Sequence, residues 1–90
     1  NRQIRGTTMA IQGFGKVGLH AAVEAYKLGA RVVAVSDVHC AIYNPEGLYV
    51  PELVEYYNQK NSLKGYHNCK LITNDELLAL DVDVLAPCAL

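Results

Sequence analysis

The sequence predicts an α/β fold, in which helices cover both faces of a doubly wound and mostly parallel sheet. Two largely apolar segments, at residues 7–12 and 31–36, have the composition of buried strands. Apolar residues recur between them at helical spacing, and a strand, a helix and a strand within about 30 residues form a βαβ unit. The chain has 90 residues, whereas a domain usually has about 100 to 150. We therefore expect a single, partial domain.

The first βαβ unit is organised around a glycine turn. Segment 7–12 ends abruptly at Gly13, as expected for a buried strand that enters a tight turn. An amphipathic helix of about three turns follows, and Gly29 supplies its end. Four residues define its predicted apolar face: Val17, Ala21, Ala25 and Leu28. Segment 31–36 is rich in β-branched residues and nearly continuously apolar, which predicts a strand covered on both faces.

The middle of the chain predicts a turn, a helix and a loop. Residues 44–47 have turn chemistry, which favours a hairpin-like excursion over residues 42–48. A second helix is expected over residues 50–60, with Pro51 in the first turn, where a proline costs no hydrogen bond. Residues 61–68 are polar and contain a glycine, so we expect a loop there.

The last part of the chain predicts a strand, a short helix and another strand. The first of these strands is expected at residues 70–72. Thr73 and Glu76 match a capping box, which opens the helix. Three leucines form its predicted apolar side: Leu77, Leu78 and Leu80. Residues 82–86 are expected to form another buried strand.

Composition and charge exclude several classes of partner. The formal net charge is -1 and the basic residues are scattered, so no basic stripe is available to neutralise nucleic-acid phosphates. No apolar run reaches the roughly 20 residues of a membrane span, and residues 1–6 do not resemble a signal peptide. We expect a soluble, cytoplasmic protein without nucleic-acid or membrane partners. Because the sequence opens without Met and stops after an apolar segment, we expect a longer protein around it.

The cysteines predict neither a metal site nor a disulfide framework. There are three of them, Cys40, Cys69 and Cys88, and they are widely spaced without a C-x-x-C pair. We expect reduced thiols that pack in the protein interior, as in a cytosol-like compartment.

A glycine-rich motif and a following acid predict a dinucleotide site. Gly13, Gly15 and Gly18 form G-x-G-x-x-G between the first strand and the first helix. In this Rossmann-like arrangement the glycines permit the tight turn, the approach of a pyrophosphate and close helix packing. The helix N-terminus offers N–H groups and partial positive charge to the phosphates. Asp37, 19 residues after Gly18, is placed to accept hydrogen bonds from the adenosine ribose.

The predicted cofactor-binding residues lie in the glycine loop, at the end of the second strand and after the last strand: Gly13, Phe14, Gly15, Lys16, Val17, Gly18, Ser36, Asp37, Cys88 and Ala89. The other polar and aromatic residues are interpreted without a catalytic role. The histidines are expected to lie at the surface, with His39 near the expected ribose position: His20, His39 and His67. Three tyrosines are expected to pack rather than to stack on bases: Tyr56, Tyr57 and Tyr66.

The chain closely resembles the glutamate dehydrogenase branch of the amino-acid dehydrogenases. The resemblance is carried by AIQGFGKVG at residues 10–18, VVAVSD at 32–37, IYNPEGL at 42–48 and ITNDELL at 72–78. It implies reversible oxidative deamination of L-glutamate to 2-oxoglutarate and ammonia, a nicotinamide cofactor and a homo-hexamer. In that family the catalytic Lys and Asp belong to a preceding substrate domain that has no counterpart here, so no catalytic residue is assigned within residues 1–90.

Both NAD and NADP are compatible with the motif, and NAD is favoured. A carboxylate at Asp37 should bond the ribose hydroxyls of NAD and repel the 2'-phosphate of NADP. Three alternatives remain open. The ending PCAL also resembles leucine and phenylalanine dehydrogenases, a regulatory module could bind a dinucleotide without catalysis, and S-adenosylmethionine-dependent methyltransferases also combine a glycine loop with an acid.

Overall fold

A computed structural model describes residues 5–67 and 69–88 of the chain. The elements follow one another in this order: β1 (Thr8–Gln12), α1 (Lys16–Lys27), β2 (Arg31–Ser36), β3 (Ala41–Tyr43), α2 (Val50–Lys60), β4 (Lys70–Ile72), α3 (Asn74–Leu78) and β5 (Val84–Pro87). One five-stranded sheet has the order β4-β3-β2-β1-β5. β1 is parallel to β2 and to β5, while β3 is antiparallel to β2 and to β4. Over these residues β3 is therefore the one strand of opposite direction, and the mostly parallel sheet is confirmed.

Helices pack on both faces of the sheet, as expected for a doubly wound fold. The larger core joins α1 and α2 to one face, where Ile11, Val32 and Leu53 are almost fully buried. The smaller core joins α3 to the other face through Leu77, which packs with Ala34 of β2. Burial of five of the six residues of β2 confirms the predicted strand with two covered faces. No helix in the described part of the chain is long and apolar enough to cross a membrane.

The apolar face predicted for α1 is confirmed at Ala25, which is buried, and at Ala21, which packs against the core, but it is wrong at Val17 and Leu28. The helix buries Gly18, Ala22 and Ala25, whereas Val17 is 63% exposed and Leu28 is 40% exposed. The reason is the bare backbone of Gly18, which lets the helix approach the sheet at that position and turns Val17 outward. A hydropathy pattern ranks valine above glycine and therefore selects Val17 in place of Gly18. The predicted end is confirmed, because Gly29 has a φ of 90° directly after the helix.

The predicted hairpin lies at a different place. β2 and β3 are consecutive antiparallel strands, so the link of this hairpin is residues 37–40 and not residues 44–47. The turn chemistry is nevertheless confirmed after β3, because the Gly47 N–H donates to the Asn44 carbonyl at 2.9 Å. The Asn44 side-chain oxygen also accepts the Glu46 N–H at 2.9 Å. This turn directs the chain back along β2, where the Leu48 N–H donates to the Val32 carbonyl at 2.7 Å.

The last two elements differ in burial from the prediction. Leu77 is fully buried but Leu78 is 43% exposed, because a helix of five residues presents little more than one turn to the sheet. β5 spans Val84–Pro87 with alternating half-buried and exposed residues, so the expected strand is confirmed but its expected burial is wrong. β5 lies at the end of the described sheet and pairs with β1 alone, which leaves Leu85 41% exposed.

Two other sequence predictions are confirmed in detail. α2 ends at Lys60 and carries Pro51 in its first turn. The capping box of α3 is complete, since the Thr73 hydroxyl oxygen accepts the Glu76 N–H at 3.0 Å and the Glu76 carboxylate accepts the Thr73 N–H at 2.8 Å. These local motifs depend on neighbouring residues alone, which is why they can be predicted without the fold.

Candidate functional site

A cleft of about 820 Å³ lies at the carboxyl ends of β1, β2 and β5. The chain leaves β1 for β2 on one side and later returns to β5 on the other, so β1 marks the point where strand order reverses. Ligands of open α/β sheets bind in the crevice at such a point. The volume falls within the about 300 to 1,000 Å³ of small-molecule sites. Six of the predicted residues line the cleft: Gly13, Phe14, Gly15, Ser36, Asp37 and Cys88.

The glycine loop is tied to the end of β2 by Ser36. The Gly13 N–H lies 3.0 Å from the Ser36 carbonyl oxygen and 3.2 Å from its hydroxyl oxygen, and the Phe14 N–H donates to the same carbonyl at 2.5 Å. Gly13 has a φ of 92°, which a residue with a Cβ rarely adopts. Ser36 is 2% exposed, so its role in the structure is to hold the loop in place below the cleft.

Gly15 opens the cleft toward the N-terminus of α1. It is the N-cap residue, and an ideal Cβ at this position would find no atom within 4 Å. No side chain caps the helix, its first turn carries no acidic residue, and the Leu19 N–H is bonded to the Gly15 carbonyl at 2.8 Å. The first-turn N–H groups before Leu19 have no acceptor within the helix. The open space and these donors suit the pyrophosphate of a dinucleotide.

The three remaining residues of the motif region lie beside the cleft. Lys16 and Val17 are exposed in the first turn of α1 and are absent from the cleft wall. Gly18 is buried, and an ideal Cβ there would lie 2.3 Å from the Gly13 carbonyl oxygen. Gly18 therefore serves the close packing of helix on strand, as the motif predicts. Ala89, also a predicted site residue, lies outside the described residues.

The Asp37 carboxylate is engaged by backbone donors on two different loops. Its Oδ1 accepts the N–H groups of His39 and Cys40, both at 2.8 Å. Its Oδ2 accepts the N–H of Leu63, also at 2.8 Å. A carboxylate has about four acceptor positions, so these donors leave about one for a ligand. Asp37 lines the cleft, but the sequence does not reveal this network, because Leu63 is 26 residues away.

Burial and the nearby charge of Asp37 favour the neutral forms of the Tyr57 hydroxyl and the Cys40 thiol. Burial, and then the negative charge of Asp37, raise the pKa of the Tyr57 hydroxyl. Burial, followed by the charges of Asp37 and Cys69, likewise raises the pKa of the Cys40 thiol. The Tyr57 ring meets Phe14 edge to face at 5.0 Å. Tyr57 thus packs as expected and also lines the cleft, a second role that sequence reasoning missed.

The far wall of the cleft was also missed from the sequence. It is formed by four consecutive residues at the end of β4 and the start of α3: Leu71, Ile72, Thr73 and Asn74. They reach the cleft because β4 pairs with β3, which itself pairs with β2. A local sequence pattern does not predict that the segment between β4 and α3 lies beside the cleft. The opposite wall is closed by Cys88, whose N–H donates to the Gln12 carbonyl at 2.7 Å.

The histidines occupy three different settings. His20 is exposed on α1, and His67 Nε2 lies 3.4 Å from a Glu52 carboxylate oxygen. His39 is exposed and lines the cleft, with its N–H bonded to Asp37. Within residues 5–67 and 69–88, no group of three or more His, Cys, Asp or Glu side chains could hold a metal ion.

Comparison with known proteins gives a consistent family. The chain matches the sequence model for Glutamate/Leucine/Phenylalanine/Valine dehydrogenase over residues 1–90. A glutamate dehydrogenase from Thermotoga maritima is 51% identical over 84 residues, which are 92% of this chain and 20% of the relative. An NADP-specific glutamate dehydrogenase from Synechocystis sp. is 44% identical over 93 residues, covering 93% of this chain and 22% of the relative.

A solved structure agrees with these sequence matches. The hetero-hexameric glutamate dehydrogenase from Thermus thermophilus, in its Leu-bound form, superposes with a TM-score of 0.83 at 37% identity, over 96% of this chain and 20% of that one. The chain spans about a fifth of the length of the relatives it matches. Fold, glycine loop and sequence similarity together show that the chain belongs to the Glutamate/Leucine/Phenylalanine/Valine dehydrogenase family.

Proposed function

We propose that this chain binds NAD or NADP in the cleft, as the cofactor-binding part of a longer enzyme. That enzyme would catalyse the reversible oxidative deamination of L-glutamate to 2-oxoglutarate and ammonia. The observation that carries the proposal is the glycine loop at the reversal of strand order, with open space at Gly15 before the uncapped N-terminus of α1. Family membership supports an amino-acid dehydrogenase, and the names of the relatives favour glutamate.

Different residues of the cleft would bind different parts of the dinucleotide. The backbone of Gly13 and Gly15 and the first-turn N–H groups of α1 would hold the pyrophosphate, with Lys16 close enough in sequence to add positive charge. The remaining acceptor position of Asp37 would take one ribose hydroxyl. Cys88, and Ala89 after it, would contact the cofactor from the β5 side.

When bound, the nicotinamide supplies the redox chemistry by accepting a hydride from the amino acid. The residues of this chain bind and orient the cofactor, and we assign none of them a catalytic role. The groups that act on the amino acid would come from the rest of the enzyme. A hexamer is proposed by analogy with the hetero-hexameric relative, and light scattering on the full-length protein measures it directly.

We propose a modest preference for NAD over NADP. A carboxylate facing a 2'-phosphate is repulsive, but the three N–H donors at Asp37 share its negative charge. The preference should therefore be on the order of a few-fold rather than absolute. One relative is named as NADP-specific, so a strong exclusion of NADP is not expected from the family.

The test uses the full-length protein that contains this chain. Reduced nicotinamide is followed by its absorbance during incubation with NAD or NADP and with one amino acid at a time. We expect reduction with L-glutamate to be faster than with L-leucine, L-phenylalanine or L-valine. Faster reduction with leucine or phenylalanine would reassign the substrate. Binding of a dinucleotide without reduction by any amino acid would instead identify a sensing module, and the proposed enzyme activity would be wrong.

A further inference from the structure

We propose that Asp37 is a positioning residue that clasps two loops of the cleft together. In this role it sets the affinity for NAD and NADP alike more than it chooses between them. The inference rests on the proposed dinucleotide site. It assigns to Asp37 a contribution beyond the ribose contact, and it names the backbone N–H of Leu63 as the partner of the clasp.

The hydrogen bonds of Asp37 have the geometry of a clasp. One oxygen closes loop 37–40 through His39 and Cys40, and the Asp37 N–H donates to the Cys40 carbonyl at 2.9 Å. The other oxygen reaches Leu63 in the loop after α2. Leu63 is fully buried in the larger core, so its N–H is a fixed point to which the first loop is attached.

Both loops connect to groups that face the cleft. Loop 37–40 carries Val38, which is 93% exposed, and Val38 and His39 line the cleft. The other loop begins at Asn61, whose N–H donates to the Tyr57 carbonyl at 2.7 Å. Tyr57 lines the cleft and contacts Phe14 of the glycine loop. Loss of the clasp would therefore loosen the cleft beside β2, which any dinucleotide must contact.

The same bonds limit how strongly Asp37 can discriminate between cofactors. Three N–H donors occupy three of about four acceptor positions and stabilise the charge of the carboxylate. A selector of the 2'-substituent would need more than the one acceptor position that these donors leave for the ribose. We therefore expect a change at Asp37 to weaken both cofactors together, because each depends on the position of the same loops.

Two variants of the full-length protein separate positioning from selection. In Asp37→Asn, the amide oxygen can still accept the His39 and Cys40 N–H groups, but the amide NH₂ cannot accept the Leu63 N–H. Asp37→Ala loses all three bonds. We expect Asp37→Asn to weaken the binding of NADH and of NADPH by about tenfold, because a hydrogen bond to a charged group contributes about that factor. Asp37→Ala should weaken the binding of both by more. The ratio of the two affinities should change by less than about threefold.

Fluorescence titration with NADH and NADPH measures these affinities, and amide hydrogen exchange reports the clasp itself. In Asp37→Asn the Leu63 amide should exchange faster, while the Cys40 amide stays protected. If instead either variant binds NADPH more tightly than the wild type does, Asp37 is a selector and the inference is wrong. Unchanged affinity for both cofactors in Asp37→Asn, together with faster exchange at Leu63, would equally contradict it.

The matched control is Asp83→Asn. Asp83 also accepts a backbone N–H, that of Thr8 at 2.9 Å, but it lies at the opposite end of β1 from the cleft. We expect the affinities of Asp83→Asn for NADH and NADPH to stay within about twofold of those of the wild type. If wild-type protein binds neither cofactor, the proposed function fails, whereas the exchange of the Leu63 amide still decides whether Asp37 forms the clasp.

Discussion

The substitution Gly18→Ala should destabilise the junction between β1 and α1 even though alanine favours helices. A Cβ at residue 18 would lie 2.3 Å from the Gly13 carbonyl oxygen and 3.1 Å from the Gly13 carbonyl carbon. The obstacle is backbone, so no side chain can rotate away. Displacing that carbonyl would also disturb its hydrogen bond with the Gly15 N–H, which is 3.0 Å long.

The loss of stability in Gly18→Ala is the difference between steric and hydrogen-bond costs and a gain in helix propensity. Overpacking at a site that cannot relax costs about 2 to 3 kcal/mol, and the loss of a backbone hydrogen bond adds about 1 kcal/mol. Against this, replacing glycine by alanine inside a helix stabilises it by about 1 kcal/mol. The expected net loss is about 2 to 3 kcal/mol, so steric overlap outweighs helix propensity at Gly18.

Amide hydrogen exchange in the full-length protein measures this loss locally. We expect the amides of β1 and α1 to exchange about 30- to 160-fold faster in Gly18→Ala than in the wild type. Gly15→Ala is the matched control, because its Cβ would meet no atom within 4 Å, and its cost should stay below about 1 kcal/mol. Unchanged exchange in Gly18→Ala, or equal effects of the two variants, would refute the close-packing role of Gly18.

Two further predictions follow from hydrogen-bonded side chains. Burial, and then the bond from its hydroxyl to Glu52, raise the pKa of Tyr66, so the folded protein keeps this proton after the unfolded chain has lost it. The free energy of unfolding should therefore fall by up to about 1.4 kcal/mol per pH unit above about pH 10. Thermal unfolding at several pH values should show a smaller loss of stability above about pH 10 for Tyr66→Phe than for the wild type. Thr73→Ala removes the capping box with Glu76, at a cost of about 1 to 2 kcal/mol, and should therefore speed hydrogen exchange in α3 by about five- to thirtyfold. Unchanged exchange would contradict the contribution of the cap.

Much of the fold can be predicted from the sequence because its signals are local. The glycine turn, the end of α1 at Gly29 and the capping box at Thr73 each depend on residues within one or two turns. The βαβ unit follows from the change in hydrophobic period between residues 7–12 and the helix. The sequence also identifies the residues at the carboxyl ends of β1 and β2, since both strands end in recognisable polar or glycine residues.

What could not be predicted depends on contacts between distant segments. The face of α1 is set by the missing side chain of Gly18, which hydrophobicity does not register. The position of β4 beside β3 brings Leu71 to the cleft, and the Leu63 N–H bonds Asp37 from a separate loop. The exposure of Leu85 follows from the place of β5 at the end of the described sheet. Each of these features needs the sheet order, which local patterns do not contain.

Titration with dinucleotides tests directly whether the glycine loop is the cofactor site. NAD and NADP are titrated by calorimetry into the full-length wild type, into Gly15→Val and into His20→Val, which places the same residue at an exposed position of α1. We expect Gly15→Val to weaken binding at least about tenfold, because its side chain would fill the space in which phosphate oxygens meet backbone N–H groups. His20→Val should bind like the wild type, and the unfolding temperatures should confirm that both variants are folded. A folded Gly15→Val protein with undiminished affinity would show that the glycine loop of this chain is not the dinucleotide site.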